Sequence, residues 1–155
     1  TEAEVVRGGE LPNGGFQRQF AFNVTLTTLG SASARVADTE GILIPSGLTI
    51  TEVEVINETA ATSGGSATLN LGLIDQDLTT AIDADGLLAV APLADYNALG
   101  ERIVYKVGVT GAGALVGTTL TNTGYLVADY DTAAYTAGEL KIIVRGYVKQ
   151  PAVTN

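Results

Sequence analysis

The sequence predicts an all-β chain: a single-domain β-sandwich of jelly-roll type with an extended N-terminal arm, a small β-barrel or β-tulip being the alternative closure of the same strands. Two observations carry this. Residues 16–28 and 139–149 alternate between apolar and polar side chains, the period of a half-buried strand. Between them β-branched segments recur, separated by Gly, Ser, Asp and Asn turns, to give about eight or nine short strands in all. Residues 1–15 are expected to form the arm, 16–150 the sandwich and 151–155 a tail.

Taken in order, Phe16, Phe20, Phe22, Val24 and Leu26 share one parity and Gln17, Gln19, Asn23, Thr25 and Thr27 the other. All three phenylalanines lie in this segment, which is therefore expected to anchor the core. Short strands follow at 34–37 and 42–44, and Pro45-Ser46-Gly47 turns the chain into a β-branched run at 48–57. The strand at 67–74 sets Ala67, Leu69, Leu71 and Leu73 against Thr68, Asn70 and Gly72, and reads as a neighbour of 48–57 in one sheet. From 75 to 100 the alternation fails and Pro92 interrupts the apolar spacing, so a loop with one short helix or turn is expected. Strands resume at 101–109, with Ile103, Tyr105, Val107 and Val109 inward, then at 114–120 and 125–130. Gly138 opens the last, 139–149, with Leu140, Ile142, Val144 and Val148 on one face.

The arm stands apart from this pattern. It holds Val5, Val6, Arg7 and Leu11 beside Gly8-Gly9 and the tight run Pro12-Asn13-Gly14-Gly15, and it reads either as a frayed terminus or as a segment that pairs with a neighbouring chain.

Composition limits the chemistry. With 46% hydrophobic residues the 155-residue chain can build a core, while charged residues are only 16%, against roughly 25% in soluble domains, so Thr, Ser, Ala and Gly must cover much of the surface or an oligomer must hide it. A net charge of −9 with eight scattered Lys and Arg argues against nucleic acid as a partner. No apolar run approaches the roughly 20 residues of a bilayer span, so no membrane partner is expected, and no signal peptide is recognisable.

Histidine, cysteine, methionine and tryptophan are all absent. That removes the usual general base, the thiol nucleophile and most zinc ligands, so no enzyme activity and no cofactor are expected. It also suits a protein exposed to heat or oxidation. Glycosidases need only two carboxylates, but no aromatic platform of tryptophan accompanies them here. Asp75, Asp77, Asp83 and Asp85 make the one acidic group of ligand character, open to reading as a calcium loop or as a solvated acidic loop; it lacks the EF-hand pattern, because Ala81 and Pro92 would fall at the first and twelfth positions. Five tyrosines, Tyr96, Tyr105, Tyr125, Tyr130 and Tyr135, could instead line a concave carbohydrate- or receptor-binding site of a fibre or adhesin module.

The segment Ile42-Leu43-Ile44-Pro45-Ser46-Gly47, the run from Ile50 to Thr59, Ser66 to Gly72 and the closing Thr136-Ala137-Gly138-Glu139 resemble small virion proteins of tailed bacteriophages. With Thr1-Glu2-Ala3-Glu4 ahead of a β domain free of Cys and His, the chain resembles the capsid decoration (head-stabilising) proteins of thermophilic siphophages. The resemblance implies a thermostable homotrimer on the outer surface of the virion, bound to the major capsid protein and resisting the pressure of packaged DNA, with Val5, Val6, Arg7 and Leu11 as arm contacts and no catalytic or metal-binding residue.

Overall fold

The computed structural model describes residues 17–36 and 42–148. Among these the strands are β1 Gln17–Thr25, β2 Ala34–Arg35, β3 Leu43–Ile44, β4 Leu48–Ser63, β5 Thr68–Asp75, β6 Ala81–Pro92, β7 Arg102–Tyr105, β8 Gly124–Asp131 and β9 Tyr135–Val148, with short 3-10 turns at Leu26–Thr28 and Leu93–Asp95. β1 pairs with β9, β2 and β3 with β8, β4 with β7, and β5 with β6, all antiparallel. The pairs are nested, as in one long hairpin. Successive pairs fall alternately into two sheets, ordered β1-β9-β4-β7 and β2-β8-β5-β6 with β3 beside β8. This nested, alternating connectivity is that of a jelly roll, and the β-sandwich expected from the sequence is the fold observed.

Alternation decides which side chains meet between the sheets. Phe22 and Val24 of β1, Val53 and Val55 of β4, Tyr105 of β7 and Leu140, Ile142 and Val144 of β9 face Leu69, Leu71 and Leu73 of β5, Leu88 and Ala91 of β6 and Leu126 and Ala128 of β8 in one buried cluster. Phe20 is half-buried and packs against it. Phe16 lies outside the described residues, as do the arm and the 151–155 tail.

Several expectations are corrected. The first strand ends at Thr25, because Leu26–Thr28 turn in a 3-10 helix that still buries Leu26. The strands at 48–57 and 67–74 are not neighbours: β4 and β5 lie in opposite sheets, since each pairs within its own nested hairpin. Residues 81–92, read as loop, form β6. Its register against β5 shifts three times and Val90 takes φ 53°, so no alternation survives for the sequence to display. β7 stops at Tyr105 where a turn closes by Val109 N–H to Lys106 O, 3.0 Å, and Val107 is therefore 72% exposed and not inward. Residues 114–120 form turns, although Gly117 N–H and Ile50 N–H exchange hydrogen bonds with Ile50 O and Thr118 O at 2.7 and 3.0 Å and so extend the edge beside β4. The last strand begins at Tyr135, before Gly138. Gly138, at φ 134°, lies within it where a β-carbon would sit 2.9 Å from Ala61 Cα.

Gly72 of β5 shows the closest backbone approach: a β-carbon there would collide with Asp83 O and the Ala84 backbone, where β6 crosses the outer side of the sheet. Gly72→Ala is expected to destabilise the fold by about 2–3 kcal/mol, because the obstacle is backbone. Gly64→Ala, with nothing within 4 Å, should change stability by less than about 0.5 kcal/mol. Urea unfolding followed by circular dichroism separates the two, and equal stabilities would refute the close approach.

Candidate functional site

The outer face of the first sheet carries a polar ladder that crosses all four strands. It exists because β4 carries a bulge: Ile50 lies opposite Gly146 and Glu52 opposite Arg145, leaving Thr51 as an extra residue. Before the bulge even-numbered residues, Leu48 and Ile50, point inward; after it odd-numbered residues, Val53 and Val55, do. Without it Glu52 and Glu54 would share the face of the core. Turned outward, they meet Arg145 of β9, whose Nη1 donates to Glu52 Oε2 at 3.1 Å, Nη2 to Glu54 Oε1 at 2.9 Å and Nε to Gln19 Oε1 of β1 at 3.1 Å. Arg102 of β7 donates through Nε to Glu54 Oε2. Glu54 is only 1% exposed. Burial pushes its carboxyl upward, but hydrogen bonds and charge from Arg102 and Arg145 outweigh this and hold it below the usual carboxylate range. A carboxylate fixed in that form by two guanidinium groups is a structural anion, unsuited to donate a proton.

The second sheet carries a smaller network. Asn70 of β5 donates through Nδ2 to Asp129 Oδ1 and Asp131 Oδ2 at 2.7 and 2.8 Å, and its Oδ1 accepts Val90 N–H at 2.8 Å. The same amide therefore ties β5 to both neighbours and fixes the left-handed backbone of Val90. Burial raises the Asp129 carboxyl; Asn70 works against this, and the Asp131 and Asp85 charges add to it. Asp83 is raised likewise by burial, then by Asp85.

The acidic residues expected in one loop are split by the β5–β6 hairpin, and its tip satisfies its own donors. Asp77 accepts from Thr79 N–H, Thr80 N–H and the Thr80 hydroxyl at 2.7–2.8 Å, hydrogen bonds led by Thr80 that hold its carboxyl below the ordinary range. Asp75 accepts from Gln76 N–H and Asn122 Nδ2. Among the described residues no group of three or more Asp or Glu is arranged to hold a metal ion.

The tyrosine platform is also corrected. Tyr96, Tyr105 and Tyr135 are 1%, 0% and 5% exposed and belong to the core. The Tyr96 and Tyr135 hydroxyls lie 2.6 Å apart, Tyr96 donates to Ala91 O, Tyr105 donates to Asp95 Oδ2 at 2.8 Å, and Tyr130 packs edge-on against Tyr135. Burial raises all three phenols, Tyr135 to about 12. Tyr125 is covered by the Arg35 guanidinium, 4.1 Å from its ring centre. These rings close the sandwich and leave no concave aromatic surface among them. A cleft of about 370 Å³ beside residues 65–68 and 92–94 contains no titratable side chain.

Of the residues singled out for contact, Val5, Val6, Arg7 and Leu11 lie outside the described residues. The polar ladder escaped the sequence reading, although the change of parity between Leu48-x-Ile50 and Val53-x-Val55 is the sign of a bulge that turns two glutamates outward.

No protein-family model and no curated protein sequence matches the chain. Solved structures of similar fold include a chain in the capsid of Ralstonia phage GP4, with TM-score 0.52 and 14% identity over 88% of this chain and 86% of that one. Others occur in the acid-stable capsid of Helicobacter pylori bacteriophage KHP30, TM-score 0.47, 13% identity, 86% and 94% covered, and in the cyanophage Pam1 capsid asymmetric unit, TM-score 0.44, 20% identity, 86% and 83% covered. The Ralstonia phage GP4 capsid chain shares the fold described above.

Two substitutions test the networks. Glu54 has a lowered carboxyl, so its contribution is present above the unfolded value of 4.5 and fades as pH falls through the folded one. Glu54→Gln is expected to cost about 2 kcal/mol at pH 7, discounted for the exposed Arg102, and much less in acid. Asp129 is raised, so the sign reverses: its stability is full below 3.8 and declines as pH rises through the folded value. Asp129→Asn should therefore raise the melting temperature at pH 7 and leave it unchanged at about pH 3. Thermal melts of both variants across pH check this, and parallel pH profiles for the two would contradict it.

Proposed function

We propose that this chain is a structural protein of a phage virion, a decoration protein that binds the outer surface of the capsid as a homotrimer and stabilises the shell against internal DNA pressure. The observation that carries the reading is the jelly-roll fold shared over 88% of the chain with a chain of the Ralstonia phage GP4 capsid. The surface supports it: Glu54 is fixed as an anion, Asp129 is held by Asn70, and Tyr96, Tyr105 and Tyr135 are spent on the core. What remains outward is largely Thr, Ala, Ser and short charged pairs, a surface whose desolvation in a subunit interface costs little.

In this reading the clamp works mechanically. Each of three chains contacts the major capsid protein, and residues 1–15, through Val5, Val6, Arg7 and Leu11, extend onto an adjacent subunit where backbone pairing adds to side-chain burial. Three linked attachments give avidity, so modest individual contacts hold firmly.

Light scattering of the purified chain should give a mass near three times 15.8 kDa. In co-sedimentation with capsids of the phage that encodes it, deletion of residues 1–15 should weaken binding by at least about tenfold, the loss of roughly 1.4 kcal/mol per site or more. A monomer that fails to sediment with capsids would overturn the proposal.

A further inference from the structure

β7 is an edge strand of unusual make-up. Among the described residues it pairs with β4 alone. Asn57 N–H donates to Glu101 O and Asn57 O accepts Gly100 N–H, so the backbone groups of Asn57, Val55 and Val53 point toward β7. Ile103 and Tyr105, opposite Val55 and Val53, therefore turn their amides to β4, while those of Arg102 and Val104 point away from the sheet. This open edge is short and flanked by the two most exposed large apolar residues, Leu99 at 73% and Val107 at 72%. Its outward side chains are Arg102, 62% exposed, half-buried Val104 and, just past the strand, exposed Lys106.

Taken as an extended segment, Glu2, Glu4 and Val6 share one parity. Laid antiparallel along β7 with Glu2 opposite Lys106, this segment sets Glu4 opposite Val104, diagonally between Lys106 and Arg102, and Val6 opposite Arg102. The first described residue, Gln17, begins β1 at the opposite edge of the same sheet, roughly 14 Å away across three strand spacings. In a ring of copies, a head-to-tail contact between the β1 edge of one chain and the β7 edge of the next would close under rotation.

We propose that the outer edge of β7 receives residues 1–7 of a second copy as an added strand, with Glu2 and Glu4 beside Lys106 and Arg102 and the apolar residues of the segment on Leu99 and Val107. This rests on the homo-oligomer reading above and names the surface through which copies join.

Because the chain has no cysteine, single thiols report the contact. Glu2→Cys or Glu4→Cys chains mixed with Val104→Cys chains and oxidised with diamide should give a mixed dimer of twice 15.8 kDa, and the same mixture with Leu78→Cys, on the β5–β6 hairpin, should not. Val104→Pro removes an N–H that points away from β4, so it should fold yet lower the oligomer mass toward one chain; Lys106→Glu, exposed and outside the ladder, should weaken assembly at least tenfold without altering the melt. A crosslink formed only within one chain of a Glu4→Cys/Val104→Cys double variant would overturn the proposal, its own segment then occupying the edge. So would a trimer untouched by Val104→Pro and free of any crosslink, which leaves the trimeric reading standing. A wild-type chain of single-chain mass without a mixed dimer would sink both.

Discussion

Pairing of the first strand with the last is the constraint that closes this fold. Gln17 to Thr25 run opposite Tyr147 to Glu139, and every other strand pair lies inside that one. β9 is held on its other side by β4, so the same strand completes both halves of the first sheet. Phe22 and Val24 reach the core only because Leu140, Ile142 and Val144 provide a ladder and a packing surface for them. Such pairing closes a long loop before it is rewarded, and a chain of this kind is expected to fold slowly for its size.

The polar groups inside and beneath the surface set register rather than add much stability. A buried carboxylate bound by two guanidinium groups roughly balances its own desolvation, but a slip of one residue would carry it into the core unpaired. Glu54 thus penalises the wrong alignment of β4 with β7 and β9. Asn70 does the corresponding work in the second sheet, where a single amide bonds β8 and the irregular part of β6. One network is weakened by acid and the other is favoured by it, so the two networks respond to pH in opposite senses.

Fold class was legible because two strands largely keep their alternation: Phe20, Phe22 and Val24 of β1 and Leu140, Ile142 and Val144 of β9 recur at every second position and face the core. β6 was not legible, since its three register shifts and the left-handed Val90 destroy the period on which such reading depends. The pairing of β4 with β9 in place of β5 could not be seen either, because strands adjacent in sequence are adjacent in a sheet in most folds but not in a nested hairpin. Of the site, the absence of His and Cys is a fact of composition that needs no fold to read, whereas the tyrosines misled: amphipathic rings read equally well as a binding platform or as core, and here Tyr96, Tyr105 and Tyr135 are core.

The edge of β7 brings these threads together. An exposed strand edge is a hazard, and proteins blunt it by keeping the strand short and charging its ends. β7 does both, being four residues long, Arg102–Tyr105, with Arg102 at one end and Lys106 just past the other. The same two cations that discourage casual pairing would, in the proposed contact, admit a strand bearing carboxylates, so protection and selectivity would have one cause. In a chain of net charge −9, basic side chains are scarce, and two of the eight stand at this edge beside the most exposed apolar residues of the described chain. An acidic strand is what such an edge would discriminate for, and Glu2 and Glu4 supply the carboxylates that the proposed pairing needs.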